Sequence, residues 1–140
     1  MHLNIDALEA SFDQVAPQGD ELVELFYERL FAVAPAVRPL FAGTDFRRQK
    51  GMLLAALVLL RKSLRYLDAV TPTLRHLGSR HVRYGALPEH YPVVGQALIA
   101  SMAEIAGDAW TLEYELAWTE AYAVVSGAML DGAASVLPVS

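Results

Sequence analysis

Apolar residues recur along this chain at every third or fourth position, which is the spacing of helices that bury one face. No stretch alternates between apolar and polar residues in the manner of a strand. About seven segments follow the helical pattern, and short connections join them. The pattern therefore predicts an all-α fold, although periodicity alone does not distinguish a helix bundle from other helical architectures.

Prolines, glycines and capping residues predict where these helices begin and end. A short third helix is expected to end at Phe41, followed by a loop over residues 42–45, and the last helix is expected to run to about Ala134. The predicted caps and first residues of the helices are, in chain order, Asp20, Pro35, Asp45, Thr71 with Pro72, Pro88 and Thr111.

Composition is typical of a packed globular protein, with 54% apolar and 19% charged residues. We expect one domain over residues 1–140. Cysteine is absent, which excludes disulfides, thiolate ligands and cofactors attached through thioether bonds. No signal peptide is visible. The longest uncharged apolar run, residues 51–60, is far below the roughly 20 residues needed to cross a bilayer. We therefore expect a cytoplasmic protein without membrane insertion.

The net charge of −5 conceals a basic segment, because residues 46–83 hold nine basic side chains and one acidic one. These basic residues either form solvated helix faces or attract an anionic ligand or an acidic partner. No nucleic-acid partner is expected, since the protein as a whole is acidic and has no recognition motif. The sequence also lacks a phosphate-binding loop, a nucleophile elbow and an H-E-x-x-H pair.

Three polar residues stand at positions that could carry chemistry. His81 follows Leu77 by one helical turn, so it is either a hydrogen-bonded core histidine or a metal ligand on an apolar face. Gln49 precedes Leu53 by one turn, either in a frayed helix start or as a donor that points into an apolar pocket. Tyr27 is either a core tyrosine with its hydroxyl at the surface or a second donor in that pocket.

Five short strings occur in an order that resembles the globin domain of flavohaemoglobins and single-domain bacterial haemoglobins. They cover the chain to about residue 130, with Gln49 upstream of His81 at the family's spacing. The strings are FYERLF at 26–31, VRPLF at 37–41, RHVRYG at 80–85, HYPVVG at 90–95 and AWTEAY at 117–122. The resemblance implies a globin fold, a three-over-three helical sandwich with a short or absent fourth helix.

The same resemblance implies a non-covalent haem b and assigns roles to individual residues. His81 resembles the proximal iron ligand, and Phe41 resembles the phenylalanine that packs on the haem face. The residues that resemble the distal pocket are Tyr27, Gln49 and Leu53. The residues that match other haem-contacting positions are Arg80 beside a propionate, the proximal Tyr91, and the pocket-lining Val94 and Tyr122.

The implied function is reversible binding and delivery of O2, with NO and CO as further ligands. The alternative is NO dioxygenation, which yields nitrate. Because the chain ends at Ser140 without flavin and nicotinamide domains, we expect an external reductase as partner, and a homodimer is left open. A sensor would need an output domain, and a haem-free helical domain is the remaining alternative.

One position departs from the family pattern. Ala133 stands where the family often carries a proximal glutamate. Either Asp131 supplies that carboxylate from a shifted helix, or the His81 imidazole donates instead to a backbone carbonyl such as that of Leu77. The second arrangement predicts weak peroxidase activity.

Overall fold

A computed structural model of the protein describes residues 3–136. Six α-helices make up most of this range, and none of its residues lies in a strand, which confirms the all-α prediction. The helices are α1 (Ile5–Val15), α2 (Gly19–Val33), α3 (Phe46–Ser63), α4 (Leu67–Arg83), α5 (His90–Ala106) and α6 (Leu112–Ala134). No helix within residues 3–136 has the length and apolar character required to cross a membrane.

The predicted short third helix is present over Pro35–Phe41, where it winds as a 3-10 helix. Residues 42–45 form a turn without a helix, so α3 follows almost directly. Asp45 begins α3 by accepting hydrogen bonds from the backbone N–H groups of Arg47 and Arg48. Thr111 caps α6 in the same way by accepting from the backbone N–H of Tyr114, as predicted.

The helices pack in pairs around the core. α2 packs across α5, α4 runs along α6, and α1 lies against α6 and α5. A buried polar contact joins the first helix to the last, because the indole N–H of Trp118 donates to the Ser11 hydroxyl at 2.8 Å. That hydroxyl donates in turn to the Ala7 carbonyl at 2.6 Å. The contact stabilises α1 against α6 and leaves neither the indole N–H nor the Ser11 hydroxyl unpaired.

Two glycines allow α4 and α6 to approach at backbone distance. A Cβ atom on Gly78 of α4 would lie 1.8 Å from the Met129 carbonyl oxygen. A Cβ on Gly132 of α6 would lie equally close to the Arg75 carbonyl oxygen. No side chain fits at either position, so this crossing fixes α4, which carries His81, directly on α6.

The predicted helix starts at Asp20 and at Thr71 are wrong. α2 begins at Gly19, whose Cα packs so closely on Leu54 that a Cβ would lie 2.8 Å from that side chain. Asp20 is therefore the second residue of α2 and does not cap it.

α4 begins at Leu67, ahead of the predicted Thr71–Pro72 start, because a 3-10 turn over Leu64–Tyr66 leads directly into it. Pro72 lies inside the helix. Its missing N–H leaves the carbonyl four residues earlier without a helical partner, but that residue, Asp68, is exposed to water. Thr71 donates its hydroxyl to the Leu67 carbonyl. α5 likewise begins at His90, two residues after the predicted Pro88.

Candidate functional site

A cluster of aromatic rings joins the ends of α2, the Pro35–Phe41 turn and α3. The Phe41 ring meets the Tyr27 ring edge-on, with centroids 5.7 Å apart. Phe46, at the first position of α3, lies 5.3 Å from Tyr27 and 5.6 Å from Phe41. Phe31 completes the cluster. Four of these six ring pairs meet edge-to-face, an arrangement that aromatic rings prefer, so the cluster favours one placement of Tyr27 relative to Phe41.

Two of the predicted donors are in direct contact. The side-chain amide of Gln49 donates to the Tyr27 hydroxyl oxygen at 3.0 Å. Tyr27 is buried, and this burial raises the pKa of its phenol above the ordinary value, an effect that the Gln49 hydrogen bond opposes only in part. The hydroxyl therefore keeps its proton at neutral pH and retains it for donation to a further acceptor.

The Gln49 side chain is held by an ordered helix start. The Asp45 cap fixes the first turn of α3, and Gln49 itself donates its backbone N–H to the Asp45 carbonyl at 2.9 Å. The interpretation of Gln49 as part of a frayed turn is thereby wrong. Leu53, one turn later, is half-buried and packs against the core.

His81 lies in the last turn of α4 as a half-buried side chain. Its Nδ1 donates to the Leu77 carbonyl at 2.8 Å, which confirms the expected backbone partner. Burial lowers the pKa of the imidazole, with a smaller contribution from the Arg80 charge, whereas the Leu77 hydrogen bond opposes the shift. The ring is therefore neutral at physiological pH, and its second nitrogen, Nε2, keeps a lone pair for a metal.

Tyr122 fixes the backbone at the start of α5. Its hydroxyl donates to the Tyr91 carbonyl at 2.5 Å. Gly95 makes this possible, because a Cβ there would lie 2.5 Å from the Tyr122 ring. Burial holds the pKa of the Tyr122 phenol far above its usual range. Val94 is half-buried and packs against the core beside this contact.

Two predicted charged residues lie at the surface. Arg80 is exposed, and its guanidinium donates to the Tyr84 hydroxyl at 3.0 Å. Asp131 is also exposed, and its carboxylate lies 3.8 Å from the Arg75 guanidinium. The Tyr91 hydroxyl has no partner among the described residues and the His81 Nδ1 donates to Leu77, so the hypothesis that Asp131 replaces the proximal glutamate is wrong. Ala133, in contrast, is buried and shares a cavity wall with Tyr91.

Several residues that shape this region were not singled out from the sequence. The glycines at 78, 95 and 132 matter because they have no side chain where a backbone carbonyl or a tyrosine ring approaches closely. A periodic pattern of apolar residues does not reveal such a contact. The sequence position of Phe46 indicates such a role only weakly, because this residue follows the Asp45 cap and precedes Gln49 by one turn.

Comparison with known proteins places the chain in a family. Residues 24–129 match the family model described as Globin. A flavohemoprotein of Vibrio cholerae is 30% identical over 132 residues, which cover 93% of this chain and 33% of that protein. The chain spans about a third of the length of the flavohemoproteins it matches.

Solved structures agree with this match. An engineered carbene transferase from Rhodothermus marinus, provisionally named a nitric oxide dioxygenase, superposes with a TM-score of 0.83 at 26% identity, covering 94% of this chain and 92% of that one. A Pseudomonas aeruginosa protein, described as structurally highly homologous to a human hemoglobin, gives 0.79 at 26% identity, covering 91% and 96%. The fold is the globin fold, without a helix at residues 42–45, and the chain belongs to the globin family.

Proposed function

We propose that this globin holds a non-covalent haem b on His81 and binds O2, NO or CO reversibly on the opposite, distal side, in oxygen binding and delivery. The single-domain organisation of residues 1–140, a cytoplasmic location and a homodimer stay predictions from the sequence.

The residues around His81 fit a haem. The neutral imidazole uses Nδ1 for the Leu77 carbonyl, and an imidazole oriented in this way offers Nε2 to a metal. Leu53, Leu77 and Val94 are apolar but only half-buried, so each leaves surface that a porphyrin can cover. Phe41 would pack on the ring, and the Arg80 guanidinium would lie near a propionate. Bound there, the haem would supply an iron that takes diatomic gases.

The observation that carries the proposal is the hydrogen bond from Gln49 to the Tyr27 hydroxyl. Because Gln49 donates to the phenol oxygen, the Tyr27 proton is free to point at a distal ligand. A donor that itself accepts a hydrogen bond is polarised and donates more strongly. O2 withdraws electron density when it binds and becomes a good acceptor. One such bond contributes about 1–2 kcal/mol net, which slows ligand release by roughly tenfold.

The proximal side supports ligand binding over oxidative chemistry. A histidine whose N–H faces a carboxylate donates more electron density to a metal than one that faces a carbonyl. His81 faces the Leu77 carbonyl, and Asp131 lies at the surface beside Arg75. A proximal histidine that donates to a carbonyl and not to a carboxylate suits an oxygen carrier.

The second candidate is NO dioxygenation to nitrate with an external flavin and nicotinamide reductase. The flavohemoprotein relatives favour it. So does the basic surface, because four exposed arginines of the basic segment 46–83 form no ion pair with any carboxylate of residues 3–136. They are Arg47, Arg48, Arg80 and Arg83. An acidic reductase would find complementary charge on them.

The experiment that separates the two candidates compares NO consumption with O2 release. Wild type and Tyr27→Phe are assayed under air with a bacterial flavin reductase and a nicotinamide as electron source. Oxygen delivery predicts slow NO consumption that an added reductase barely accelerates, and O2 dissociation that accelerates in Tyr27→Phe. Reductase-dependent nitrate formation over many turnovers would establish the second candidate instead.

A further inference from the structure

A cavity of about 180 Å³ lies between the end of α4, the connection to α5 and the end of α6. Its wall is apolar apart from one tyrosine. The larger side chains of the wall and the one small side chain from α6 are Val82, Leu87, Pro88, Tyr91, Leu130 and Ala133. His81, Leu53 and Val94 are not part of the wall, which shares only Tyr91 with the residues assigned above to the haem.

The only polar side chain in this wall lacks a partner. Tyr91 is 8% exposed, and its hydroxyl is buried without a hydrogen bond to any described residue. A buried hydroxyl left unpaired costs about 1–3 kcal/mol, and native proteins rarely tolerate one. Burial also raises the pKa of this phenol, so the group is a donor. The Tyr91 hydroxyl therefore requires a hydrogen-bond acceptor inside the cavity.

Water satisfies this requirement poorly. The cavity reaches the surface at Leu87, which is 47% exposed, but an ordered water inside it needs two to four polar partners. Here a water would meet one hydroxyl among aliphatic side chains. An apolar cavity of roughly 150 Å³ is known to accept a molecule the size of benzene, so the space suits a small ring better than a water.

We propose that this cavity is a second binding site, beside the proximal histidine, for a small neutral organic molecule with an apolar body and one hydrogen-bond acceptor. The acceptor pairs with the Tyr91 hydroxyl, and the apolar body contacts Leu130, Ala133 and Val82. Val82 is the next residue after His81 in the chain, so an occupant touches the segment that holds the imidazole.

The charge of the wall excludes an ionic ligand. None of the lining residues carries a charge. A carboxylate placed there would lose its hydration and gain a single phenol hydrogen bond, which does not repay the desolvation of an ion. A neutral ketone, ester or ether loses far less on transfer and gains the same bond.

The test uses two probes that differ only at the acceptor. Cyclohexanone carries a carbonyl oxygen, and methylenecyclohexane has a CH2 group in its place. Both are titrated by NMR into haem-loaded, CO-saturated protein, in which CO occupies the distal side. We expect both probes to bind wild type. Tyr91→Phe should weaken cyclohexanone binding by roughly three- to tenfold and leave methylenecyclohexane binding within about twofold.

A second variant fills the space. Ala133→Leu should abolish binding of both probes, because the added atoms occupy the cavity. The matched control is Ala134→Leu, the same change at the next, exposed residue of α6, which should leave both affinities unchanged. Should Ala133→Leu not fold, Tyr91→Phe still decides the question, since it removes a single oxygen atom.

Three results would overturn the proposal: no binding of cyclohexanone to wild type, equal cyclohexanone affinity in Tyr91→Phe and wild type, or binding that persists in folded Ala133→Leu. These failures are distinct from failure of the proposed function. A protein without a CO spectrum contradicts haem binding, whereas a protein with that spectrum and no cyclohexanone binding contradicts the cavity site alone.

Discussion

The amide of Gln49 on α3 donates to the hydroxyl oxygen of Tyr27 on α2, across 3.0 Å. The two side chains thus act as one unit in which Gln49 orients the phenol and Tyr27 presents the proton. The Asp45 cap holds one end of this unit, and the Phe41 and Phe46 rings hold the other. Its two parts should therefore contribute unequally and non-additively to ligand retention.

Replacing Tyr27 by Phe should raise the O2 dissociation rate by roughly five- to thirtyfold, since one hydrogen bond of about 1–2 kcal/mol is lost. Gln49→Leu should raise it less, because the phenol remains and loses only its orienting partner. The double variant should release O2 about as fast as Tyr27→Phe alone. Stopped-flow measurement of O2 release gives all three rates.

CO release serves as the control for these variants, because bound CO carries less charge and depends less on a donor. Its rate should change by less than the O2 rate in each variant. A larger O2 effect for Gln49→Leu than for Tyr27→Phe would reverse the order of roles, and additive effects would show that the two donors act separately.

The Asp45 cap should influence the same rates from a distance. Asp45→Ala removes the acceptor for the N–H groups of Arg47 and Arg48 and should cost about 1 kcal/mol of unfolding free energy. Loosening this turn frees Gln49, so O2 release should accelerate toward the Gln49→Leu value. An unchanged O2 rate in a destabilised Asp45→Ala protein would show that the cap does not position Gln49.

The sequence predicted most of the helices, and it singled out Tyr27 and Gln49 individually as candidate donors. Helical periodicity fixes which face is buried, and caps such as Asp45 and Thr111 act locally, so both are readable from the chain. The contact between Gln49 and Tyr27 could only be expected through the family resemblance, since 21 residues stand between them in the sequence and the crossing of α2 and α3 sets their distance.

The errors arose where tertiary packing overrides a local signal. Thr71 and Pro72 look like a helix start, but the preceding 3-10 turn already sets the direction of α4. Gly78 and Gly132 look like helix-weakening residues, but they are required by the backbone contact of α4 with α6. The unpaired Tyr91 hydroxyl is a property of the assembled cavity, which no sequence pattern encodes.

The α4–α6 crossing should be intolerant of any side chain. Gly78→Ala and Gly132→Ala each place a Cβ about 1.8 Å from a carbonyl oxygen, so each should lower the unfolding free energy by about 3 kcal/mol or more. Gly127→Ala is the matched control on α6, where a Cβ meets nothing within 4 Å. That variant should stabilise the helix by about 0.5–1 kcal/mol.

Urea unfolding followed by circular dichroism measures these changes. Because Gly78 lies three residues before His81 on α4, Gly78→Ala should also weaken haem retention. Equal stability of Gly78→Ala and Gly127→Ala would contradict the close approach of α4 and α6 at Gly78.

The iron–histidine bond should resemble that of an oxygen carrier, because His81 donates to the Leu77 carbonyl and not to a carboxylate. Resonance Raman of the ferrous protein without ligand should give a low iron–histidine stretching frequency, and peroxidase activity should be weak. Asp131→Asn should change neither, since that carboxylate lies exposed beside Arg75. A high, peroxidase-like frequency that falls in Asp131→Asn would restore Asp131 as the proximal acceptor.

The most direct test of the account is the absorption spectrum of the ferric, ferrous and ferrous–CO forms of wild type and His81→Ala. Wild type should purify with haem, show the ferrous spectrum of a histidine-ligated haem and shift its Soret band when CO is added. His81→Ala should lose most of its haem or regain a wild-type spectrum only with added imidazole, while His76→Ala, an exposed histidine on the same helix, behaves as wild type. A wild type that takes up no haem, or a His81→Ala variant that keeps the histidine-ligated ferrous spectrum without imidazole, would contradict the account.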